Sequence, residues 1–454
     1  MPKHIELETK LKNSKFSLYK LGDSFISSQI VDGPFGSDLK VNEYVESGVP
    51  LLRVSNCRDG IIKTNDEMVF ISLEKHLQLS RSEVLPNDVL LTKAGAILGY
   101  SAVFPFHLER GNITSHLVSI RPTQNIESRF LSDFLTSRLG NQQIYRWGNK
   151  STRPELNTDE VKKILILVPP IAKQTELVAA MDEARSQRKQ KLTEAEALLS
   201  SLDQFILDTL NFRLPPPDNR KVYATTLSRM IGERIDSYSN KPYFQKLFNA
   251  IQNSQHNIST LSNLSIRIFS GTTPLAKGDA YVDPPNGVRF IRSGEITTEG
   301  TVTPTSEVHI SDEIHTGKMK SSQLQKGDLL IAIVGATIGA VGIYDLNKPA
   351  NINQAIASVR LSNKEVLGEY ICWYLRSSIG QRLLDYFKRP VARANINLAE
   401  VGEIPIIIPD LQIQETIIKE VDNRRSEAQR LRSEAETGWQ AAKQWFEDQL
   451  LGGS

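Results

Sequence analysis

The sequence has little cysteine and no excess of charge of either sign. Cys57 and Cys372 are the only cysteines among 454 residues, too few for a disulfide framework and without the spacing of a metal-binding pair. No apolar run approaches the ~20 residues of a membrane-spanning helix, and the first residues lack the apolar core of a signal peptide. We therefore expect a protein of the reducing cytoplasm. Because the formal net charge is only +2, any nucleic-acid binding must come from local basic patches.

Motifs of catalytic sites are also missing. The seven histidines show no paired spacing typical of metal ligands, and there is no GxSxG nucleophile elbow. The stretch "DPPN" at 283–286 lacks the aromatic fourth residue of the amino-methyltransferase motif, so we interpret it as a turn. Glu155, Glu160 and Lys162 faintly resemble a nuclease carboxylate set, but acidic residues also suit the start of a helix. We predict no catalytic residue, cofactor site or metal site in this chain.

What the sequence does contain is an internal repeat. The stretch "GATIGAVG" at 335–342 has a counterpart in "KAGAILGYSAVF" at 93–104, and Gly95 and Gly335 lie 240 residues apart (335 − 95). Further matching pairs at nearly the same offset are "SGVPLLRVSN" (47–56) with "NGVRFIRSGE" (286–295), "NITSHLVSIRP" (112–122) with "NINQAIASVRL" (351–361), and "LVPPIAKQ" (167–174) with "IIPDLQIQ" (407–414). Several such pairs in the same order indicate a duplicated unit.

The glycine-rich stretches invite comparison with phosphate-binding loops. Neither has the GxxxxGK[ST] order, and neither places a lysine where it would reach a phosphate. Glycine tolerates positive φ and has no side chain that would obstruct a close approach. We therefore predict a tight turn in each copy, which also brings backbone N–H groups to the surface.

Each repeat combines a β-rich part with a long helix. Short β-branched runs punctuated by Gly, Pro and Asn are typical of strands and turns, whereas about 40 residues after Pro169 and Pro409 contain no helix breaker. The fold class that we predict is α+β, with two mainly β domains separated by two long antiparallel coiled-coil helices in a pseudo-twofold repeat. The predicted boundaries are a β-rich domain at 1–168, a helix at 169–213, a linker at 214–231, a second β-rich domain at 232–408 and a helix at 409–451.

Alternating spacings of four and three residues predict a buried seam on each long helix. The seam of the second helix consists of Ile417, Val421, Arg424, Ala428, Leu431, Ala435, Gly438, Ala442, Trp445 and Gln449. The first helix has Leu177, Met181, Ala184, Arg188, Lys191, Ala195, Leu198, Leu202, Phe205 and Thr209 at the equivalent positions. Both seams mix apolar with small or polar residues, so we expect close packing in which the polar positions fix the register.

Two equivalent segments are basic and contain no acidic residue. They are "FLTSRLGNQQIYRWGNKSTRP" (134–154) and "YFKRPVARANINLA" (386–399), and each combines basic residues with an aromatic one. We predict that both are loops that contact DNA phosphates, with Asn and Arg able to reach base edges. The turn-rich segments at 33–40 and 270–279 are further candidates. The predicted DNA-binding residues are Ser37, Lys40, Arg53, Asn56, Lys93, Arg146, Lys150, Ser151, Thr152, Arg153, Thr272, Thr273, Lys277, Arg292, Lys388, Arg389, Arg393 and Asn395.

These duplicated features resemble the DNA-specificity (S) subunit of type I restriction–modification systems. The resemblance covers residues 16–450 and rests on "GPFGSDLK…GVPLLRVSN", "GTTP…GVRFIRSGEI", "KGDLLIAIVGATIG" and the "PP-I-A-x-Q" start of a long helix, with Pro409-Asp410 in the second copy. It implies a non-catalytic subunit with two target-recognition domains, each of which reads one half of a bipartite, asymmetric site in double-stranded DNA. It also implies helices that set the gap between the half-sites and dock two modification (methyltransferase) subunits, which bring S-adenosylmethionine. Restriction subunits that use ATP and Mg²⁺ would join where the system has them.

Other functions stay open at this point. A specificity subunit of a methylation-only or other phage-defence system, without a restriction partner, would have the same kind of sequence and would be distinguished by its neighbouring genes. A stand-alone restriction or methylation enzyme would need a complete catalytic motif and would modify or cut DNA by itself. A structural coiled-coil scaffold would show no preference between DNA sequences.

Overall fold

The computed structural model describes most of the chain. The described residues are 3–34, 38–58, 60–64, 68–95, 97–148, 154–218, 220, 222–224, 236–274, 280–297, 299–303, 305–362, 365–389 and 394–452. The chain divides into two compact units: unit 1 is Met1–Thr193 with Leu431–Ser454, and unit 2 is Glu194–Arg430. Among the helices of the described ranges, none is both long and apolar enough to cross a membrane.

Unit 1 contains a β-rich domain and parts of both long helices. Its helices are α1 (Lys3–Lys12), α2 (Leu73–Gln78), α3 (Ser128–Thr136), α4 (Arg138–Gly148), α5 (Thr158–Lys162) and most of α6 (Ile171–Ser200). Its strands are β1 (Ser17–Lys20), β2 (Ser27–Asp32), β3 (Tyr44–Val45), β4 (Val49–Leu52), β5 (Cys57–Arg58), β6 (Gly60–Ile62), β7 (Val69–Ile71), β8 (Glu83–Val84), β9 (Val89–Thr92), β10 (Ser101–Val103), β11 (Gly111–Ile113), β12 (Leu117–Pro122) and β13 (Leu165–Val168).

The strands of unit 1 form two larger sheets and one small one. The larger sheets have the orders β2-β12-β9-β10-β6-β5 and β3-β7-β4-β11-β8, and β1 pairs with β13. Strand β12 runs antiparallel to β2 and to β9, so Asp32 and Thr92 lie at the same end of that sheet. Strand β11 runs parallel to β4, with Ile113 beside Leu52, and leads directly into the start of β12. The carboxyl ends of β2, β4, β9 and β11 therefore gather at one edge of the domain.

Most elements of unit 1 have a counterpart in unit 2, in the same order. Its helices are α7 (Leu202–Thr209), α8 (Pro242–Gln252), α9 (Asp312–Thr316), α10 (Gly368–Arg376), α11 (Ser378–Phe387), α12 (Leu398–Gly402) and the first half of α13 (Leu411–Leu451). Its strands are β14 (Asn257–Thr260), β15 (Ser265–Ser270), β16 (Tyr281–Val282), β17 (Val288–Ile291), β18 (His309–Ile310), β19 (Asp328–Ala332), β20 (Val341–Tyr344), β21 (Ala350–Ile352), β22 (Ile356–Leu361) and β23 (Pro405–Ile408).

The repeat in the sequence is also present in the strand order. The sheets β15-β22-β19-β20 and β16-β18-β17-β21 follow the order of β2-β12-β9-β10 and β3-β7-β4-β11, and β14 pairs with β23 as β1 does with β13. Helices α1 and α8 extend the repeat, because Leu7 and Leu11 are buried in unit 1 just as Leu247 and Ile251 are in unit 2. The sequence patterns had not indicated α1.

The same ion pair, between a buried aspartate and a half-buried arginine, stabilises the central sheet of both units. Asp88 and Asp328 are buried, and each accepts two hydrogen bonds of 2.8–2.9 Å from the guanidinium of Arg121 or Arg360. Each carboxylate also accepts the backbone N–H three residues before it. Hydrogen bonding to the aspartate raises the pKa of both arginines. The Asp of "NDVLL" and "GDLLI" is thus part of the frame rather than of a binding site.

Within unit 1 the two long helices run antiparallel. Near the start of α6, Lys173 Nζ lies 2.9 Å from Gln449 Oε1 near the end of α13. Further along α6, Lys191 Nζ lies 2.5 Å from Glu434 Oε2, earlier in α13. In unit 2, Arg424 of α13 donates to the Ser201 hydroxyl at 2.7 Å, just after α6 ends.

Most positions of the two predicted seams are buried or half-buried, but the end of the second seam was predicted wrongly. Gly438 and Trp445 are exposed, whereas Trp439, Phe446 and Leu450 are buried. An α-helix drifts by ~20° per heptad relative to a strict 3.5-residue repeat, so the inward face passes to the large apolar side chains one residue further on. The first long helix is also interrupted, since α6 ends at Ser200 and α7 begins at Leu202.

A buried glutamine fastens the start of each long helix to its own domain. Gln174 is fully buried, and its Oε1 accepts the Glu127 N–H at 2.8 Å. Its Nε2 donates to Asn125 O at 3.0 Å and Pro169 O at 2.9 Å. Gln414 is equally buried and makes the equivalent bonds with Leu367 N, Glu365 O and Pro409 O. We call each buried glutamine with its three main-chain partners a helix-start clamp. It explains the glutamine of the "PP-I-A-x-Q" motif.

Candidate nucleic-acid interface

Each glycine-rich stretch forms the turn of an antiparallel hairpin, as predicted. The turns connect β9 to β10 and β19 to β20, and Gly95 and Gly335 have φ values of 93° and 84°. Side chains rarely adopt this left-handed region, so glycine is required there. The Gly95 N–H donates to Pro154 O at 3.4 Å and the Gly335 N–H to Ala394 O at 3.2 Å. These two donors are therefore used within the domain, and the prediction that the turns bring other backbone N–H groups to the surface stays a prediction.

In unit 1 this turn lies at an edge where several loops meet, which we name edge 1. It consists of residues 32–34, 53, 93–95, 114–116 and 154–156. The Lys93 N–H donates to His116 O at 2.9 Å, and Lys93 O accepts the Leu156 N–H at 2.8 Å. Gly33 packs so closely on Thr114 that an added Cβ would lie 2.4 Å from its carbonyl carbon. Edge 1 is thus held together mainly by backbone contacts.

Unit 2 has an equivalent edge 2, which consists of residues 270–273, 292, 333–335, 353–355 and 394–396. The Ile333 N–H donates to Ala355 O at 2.9 Å, and Ile333 O accepts the Ile396 N–H at 3.0 Å. Gly271 repeats the close packing of Gly33, since an added Cβ would collide with Ile352 O at 1.6 Å. Because backbone atoms make the frame, the same edge can present different side chains in the two units.

The equivalent arginines Arg53 and Arg292 each follow the last residue of a strand at these edges. The Arg53 N–H donates to Asn56 Oδ1 at 2.9 Å, and the Arg292 N–H donates to Glu295 Oε2 at 2.8 Å. Arg292 is exposed and Arg53 is half-buried. Their contact with DNA stays a prediction, and their position at the edges agrees with it.

Two predicted contact residues of unit 1 point inward instead. Asn56 is 1% exposed and its amide donates to Lys63 O at 3.2 Å. Lys93 is 4% exposed, with Nζ 3.4 Å from Asp32 Oδ2. Burial and internal partners weigh against a base contact by either residue and favour a role in holding edge 1.

The basic segment at 134–154 is largely helical, so the prediction of a loop was wrong for this part. Helix α4 covers Arg138–Gly148 because its apolar residues recur at helical spacing and bury Leu139 and Ile144. Arg146 Nη1 lies 2.5 Å from Glu8 Oε1 of α1, and its guanidinium lies over the Trp147 ring at 5.4 Å. Arg146 therefore has partners within the domain.

The basic segment of unit 2 begins in α11 and continues beside edge 2. Lys388 directly follows α11. The guanidinium of Arg389 donates to Glu400 Oε1 at 3.1 and 2.9 Å, and the Arg389 N–H donates to Asn395 O at 3.0 Å. Glu400 also caps α12 together with Asn397. Arg389 thus contacts both Asn395 of edge 2 and the capping residue of α12.

The remaining predicted residues divide into exposed ones and ones that the structure does not describe. Lys40 is exposed and its N–H donates to Glu43 Oε2 at 2.6 Å. Thr272 and Thr273 are exposed at edge 2, and the Thr273 hydroxyl is hydrogen-bonded to Gln354. Outside the described residues lie Ser37, Lys150, Ser151, Thr152, Arg153, Lys277 and Arg393.

Sequence reasoning missed the short turns between β11 and β12 and between β21 and β22. Their residues are 114–116, "TSH", and 353–355, "NQA", in the middle of edges 1 and 2. His116 and Gln354 are exposed there. The signal was available: these tripeptides differ completely although the segments on both sides of them match.

The two edges differ most in charge. Edge 1 contains Asp32 and Lys93, with Glu155 Oε1 4.0 Å from Lys93 Nζ. The equivalent residues of edge 2 are Ser270, Ile333 and Asn395. Edge 1 is therefore built around an ion pair between the buried Lys93 and the half-buried Asp32, whereas edge 2 presents hydroxyl and amide groups. Hydroxyl and amide groups suit hydrogen bonding to base edges, and cationic groups suit guanine or phosphate.

Comparison with known proteins finds a matching family model and several relatives. Residues 246–431 match the sequence model of the type I restriction modification DNA specificity domain. The chain is 25% identical over 279 residues to the type I restriction enzyme EcoBI specificity subunit of Escherichia coli, which covers 60% of this chain and 53% of that protein. This chain thus spans about half the length of that relative. It is 21% identical over 419 residues to the EcoKI specificity subunit of Escherichia coli strain K12, covering 88% of this chain and 80% of that protein.

One solved structure has the same fold. It concerns complex assembly and conformational transition of a type I restriction–modification system, and one of its chains superimposes with a TM-score of 0.58 at 16% sequence identity. The match covers 97% of this chain and 98% of that chain. At this identity the likeness shows the fold alone, a mixed α/β architecture with long helices.

Proposed function

We propose that this chain is a DNA-specificity subunit of a type I restriction–modification system, like the relatives that it resembles, and that it reads a split site in double-stranded DNA with edge 1 and edge 2. Each edge would read one half-site. Subunits of this family recognise DNA and are not catalytic, so the chemistry belongs to other chains of the complex.

The observation that supports this proposal most is the repetition of one edge on two domains with different side chains. Both edges have the same backbone frame, with Gly33 and Gly271 in the same close packing and Arg53 and Arg292 at the same position. A repeated frame with exchanged side chains is what two readers of two different sequences require. This difference supports the proposal of an asymmetric, bipartite site.

The long helices would serve as spacer and as docking surface. Helix α6 has 30 residues and α13 has 41, which at ~1.5 Å per residue correspond to about 45 and 60 Å. Each of them begins at a helix-start clamp. In this proposal the helix length sets the gap between the half-sites, and two modification (methyltransferase) subunits dock on the helices.

The cofactors of the proposed complex would reside on the partners. S-adenosylmethionine would be bound by the modification subunits, and ATP with Mg²⁺ by restriction subunits in a system that has them. Among the described residues, no group of three or more His, Cys, Asp or Glu side chains could hold a metal ion.

A domain exchange tests the proposal directly. Residues 16–168 are replaced by the equivalent domain of a related specificity subunit, and wild-type and hybrid chains are each expressed with the modification subunit. Sequencing of methylated positions in the cellular DNA then gives the site that each complex recognises. We expect the hybrid to change one half-site and to keep the other half-site and the gap.

Two results would contradict the proposal. A hybrid that changes both half-sites would show that specificity is not divided between the units. A wild-type complex without any sequence preference would favour a scaffold function instead. An unmodified expression host and a host with the modification subunit alone provide the controls.

A further inference from the structure

We propose that Gln354 of edge 2 is a specificity-determining residue that recognises adenine in the half-site read by unit 2, and that Thr273 positions its amide. The inference deepens the proposed function and depends on it. It concerns one base of one half-site and can therefore fail while the split-site proposal holds.

The turn that carries Gln354 is built so that this side chain faces outward. Asn353 is used within the turn, because its N–H donates to Ile291 O at 3.3 Å and its Oδ1 accepts the Ala355 N–H at 3.2 Å. Gln354, the next residue, is exposed. Arg292 follows Ile291 directly, so an exposed cation lies beside the turn and can contact a phosphate.

The side-chain amide of Gln354 is hydrogen-bonded at its oxygen, and its nitrogen is available to a ligand. The Thr273 hydroxyl is hydrogen-bonded to Gln354 Oε1. In the described part of the chain, the Nε2 group of Gln354 has no hydrogen-bond partner. Because an amide oxygen has two lone pairs and an amide nitrogen two hydrogens, one acceptor site and both donors are left for a ligand. A side chain fixed in this way loses less conformational freedom on binding.

Adenine matches this donor and acceptor pair. In the major groove adenine presents N7 as acceptor and the N6 amino group as donor, and a glutamine amide can bond both at once. Edge 1 has Ser115 at the equivalent position and no amide in its turn. The adenine contact is therefore specific to unit 2.

The test compares the bases that wild-type and variant complexes select. In Gln354→Glu the amide NH2 becomes a carboxylate oxygen that cannot donate to N7, and in Gln354→Met both donor and acceptor are lost at similar length. Each full-length chain, purified with the modification subunit, is incubated with random-sequence DNA duplexes, and the bound DNA is sequenced. Thermal unfolding of each variant shows that it folds as the wild type does.

We expect one adenine of the unit-2 half-site to lose its preference by between about 5-fold and about 150-fold, the range that a bidentate contact provides. The other half-site should stay unchanged, and Thr273→Val should weaken the same position less. Gln255→Glu is the matched control, since Gln255 is exposed and contacts Asn211 after α7 rather than edge 2.

An unchanged adenine preference in both Gln354 variants would overturn the inference, as would a change spread over both half-sites. If the wild-type complex selects no sequence at all, the proposed function itself fails. If the wild type selects a split site and the variants select the same one, only the role of Gln354 fails.

Discussion

Edge 1 and edge 2 have the same backbone frame but carry different side chains. The turn glycines, the close packing of Gly33 and Gly271 and the backbone bonds between loops are the same in both. Yet edge 1 contains the Asp32–Lys93 pair, whereas edge 2 presents Thr273 and Gln354. The comparison shows that the contacts repeated in both units lie behind the edges, whereas the side chains at the edges differ between the units.

The frame behind the edges relies on buried or half-buried polar residues that occur twice. Asn112 Oδ1 lies 2.5 Å from His76 Nδ1, and Asn351 Oδ1 lies 2.5 Å from His315 Nδ1. The ion pairs of Asp88 and Asp328 and the two helix-start clamps are repeated in the same way. A buried polar group that loses its hydrogen-bond partner destabilises the fold. The need to fold is therefore enough to explain why these networks occur in both units.

The largest effect is expected when the frame of one unit is broken. Asp328→Ala leaves Arg360 without its buried carboxylate and should destabilise unit 2 by about 3–5 kcal/mol, because an uncompensated charge remains. Hydrogen exchange monitored by mass spectrometry should show lost protection in unit 2 and unchanged protection in the β-rich domain of unit 1. The control is Lys326→Ala, which removes an exposed pair with Asp345 and should change stability by less than ~1 kcal/mol. Equal effects of the two variants would contradict the division into frame and surface.

A smaller effect is expected when edge 1 is given the residues of edge 2. Lys93→Ile alone deprives Asp32 of its buried cation and should destabilise unit 1 by about 1–3 kcal/mol. The double variant with Asp32→Ser reproduces the pair Ile333 and Ser270 and should recover most of this loss. Urea unfolding of both variants measures the difference. If the double variant is as unstable as Lys93→Ile, the loss of stability does not arise from leaving Asp32 unpaired, and the ion pair stabilises edge 1 in another way.

The smallest effect is expected from the two equivalent arginines. If Arg292 contacts a phosphate, Arg292→Ala should lower DNA affinity to a similar extent for all sequences and reduce the slope of log affinity against log salt by ~1. Arg53→Ala should do less, since Arg53 is half-buried. Lys348→Ala is the control, because the exposed Lys348 precedes β21 at the end away from edge 2. A loss confined to one DNA sequence would instead indicate a base contact.

Features that depend on local sequence could be predicted, and these include the duplication, the turns at Gly95 and Gly335 and the starts of the long helices. The seam could be followed only to Ala435. Beyond it the strict four-and-three spacing selected Gly438 and Trp445, whereas the larger Trp439 and Phe446 are buried. Spacing alone does not include the drift of a real helix or the size of its side chains.

The candidate site was harder to predict because exposure is decided by tertiary partners. Asn56 and Lys93 are residue types that often contact DNA. In the fold, however, Asn56 donates to Lys63 O and Lys93 lies beside Asp32. Arg389 likewise contacts Glu400. Only the assembled edge shows that the tripeptides at 114–116 and 353–355 lie among the predicted loops.

The helix-start clamp has a consequence for how new specificities can arise. Gln174 and Gln414 bind only main-chain atoms of the domains that they hold. A main-chain partner is present whatever side chains the domain carries. A gene crossover just before Pro169 or Pro409 would therefore preserve this attachment in a foreign domain, whereas side-chain contacts such as Arg129–Asp182 would depend on the residues that the new domain carries. If each domain reads one half-site as we propose, a new DNA target would require a single recombination event.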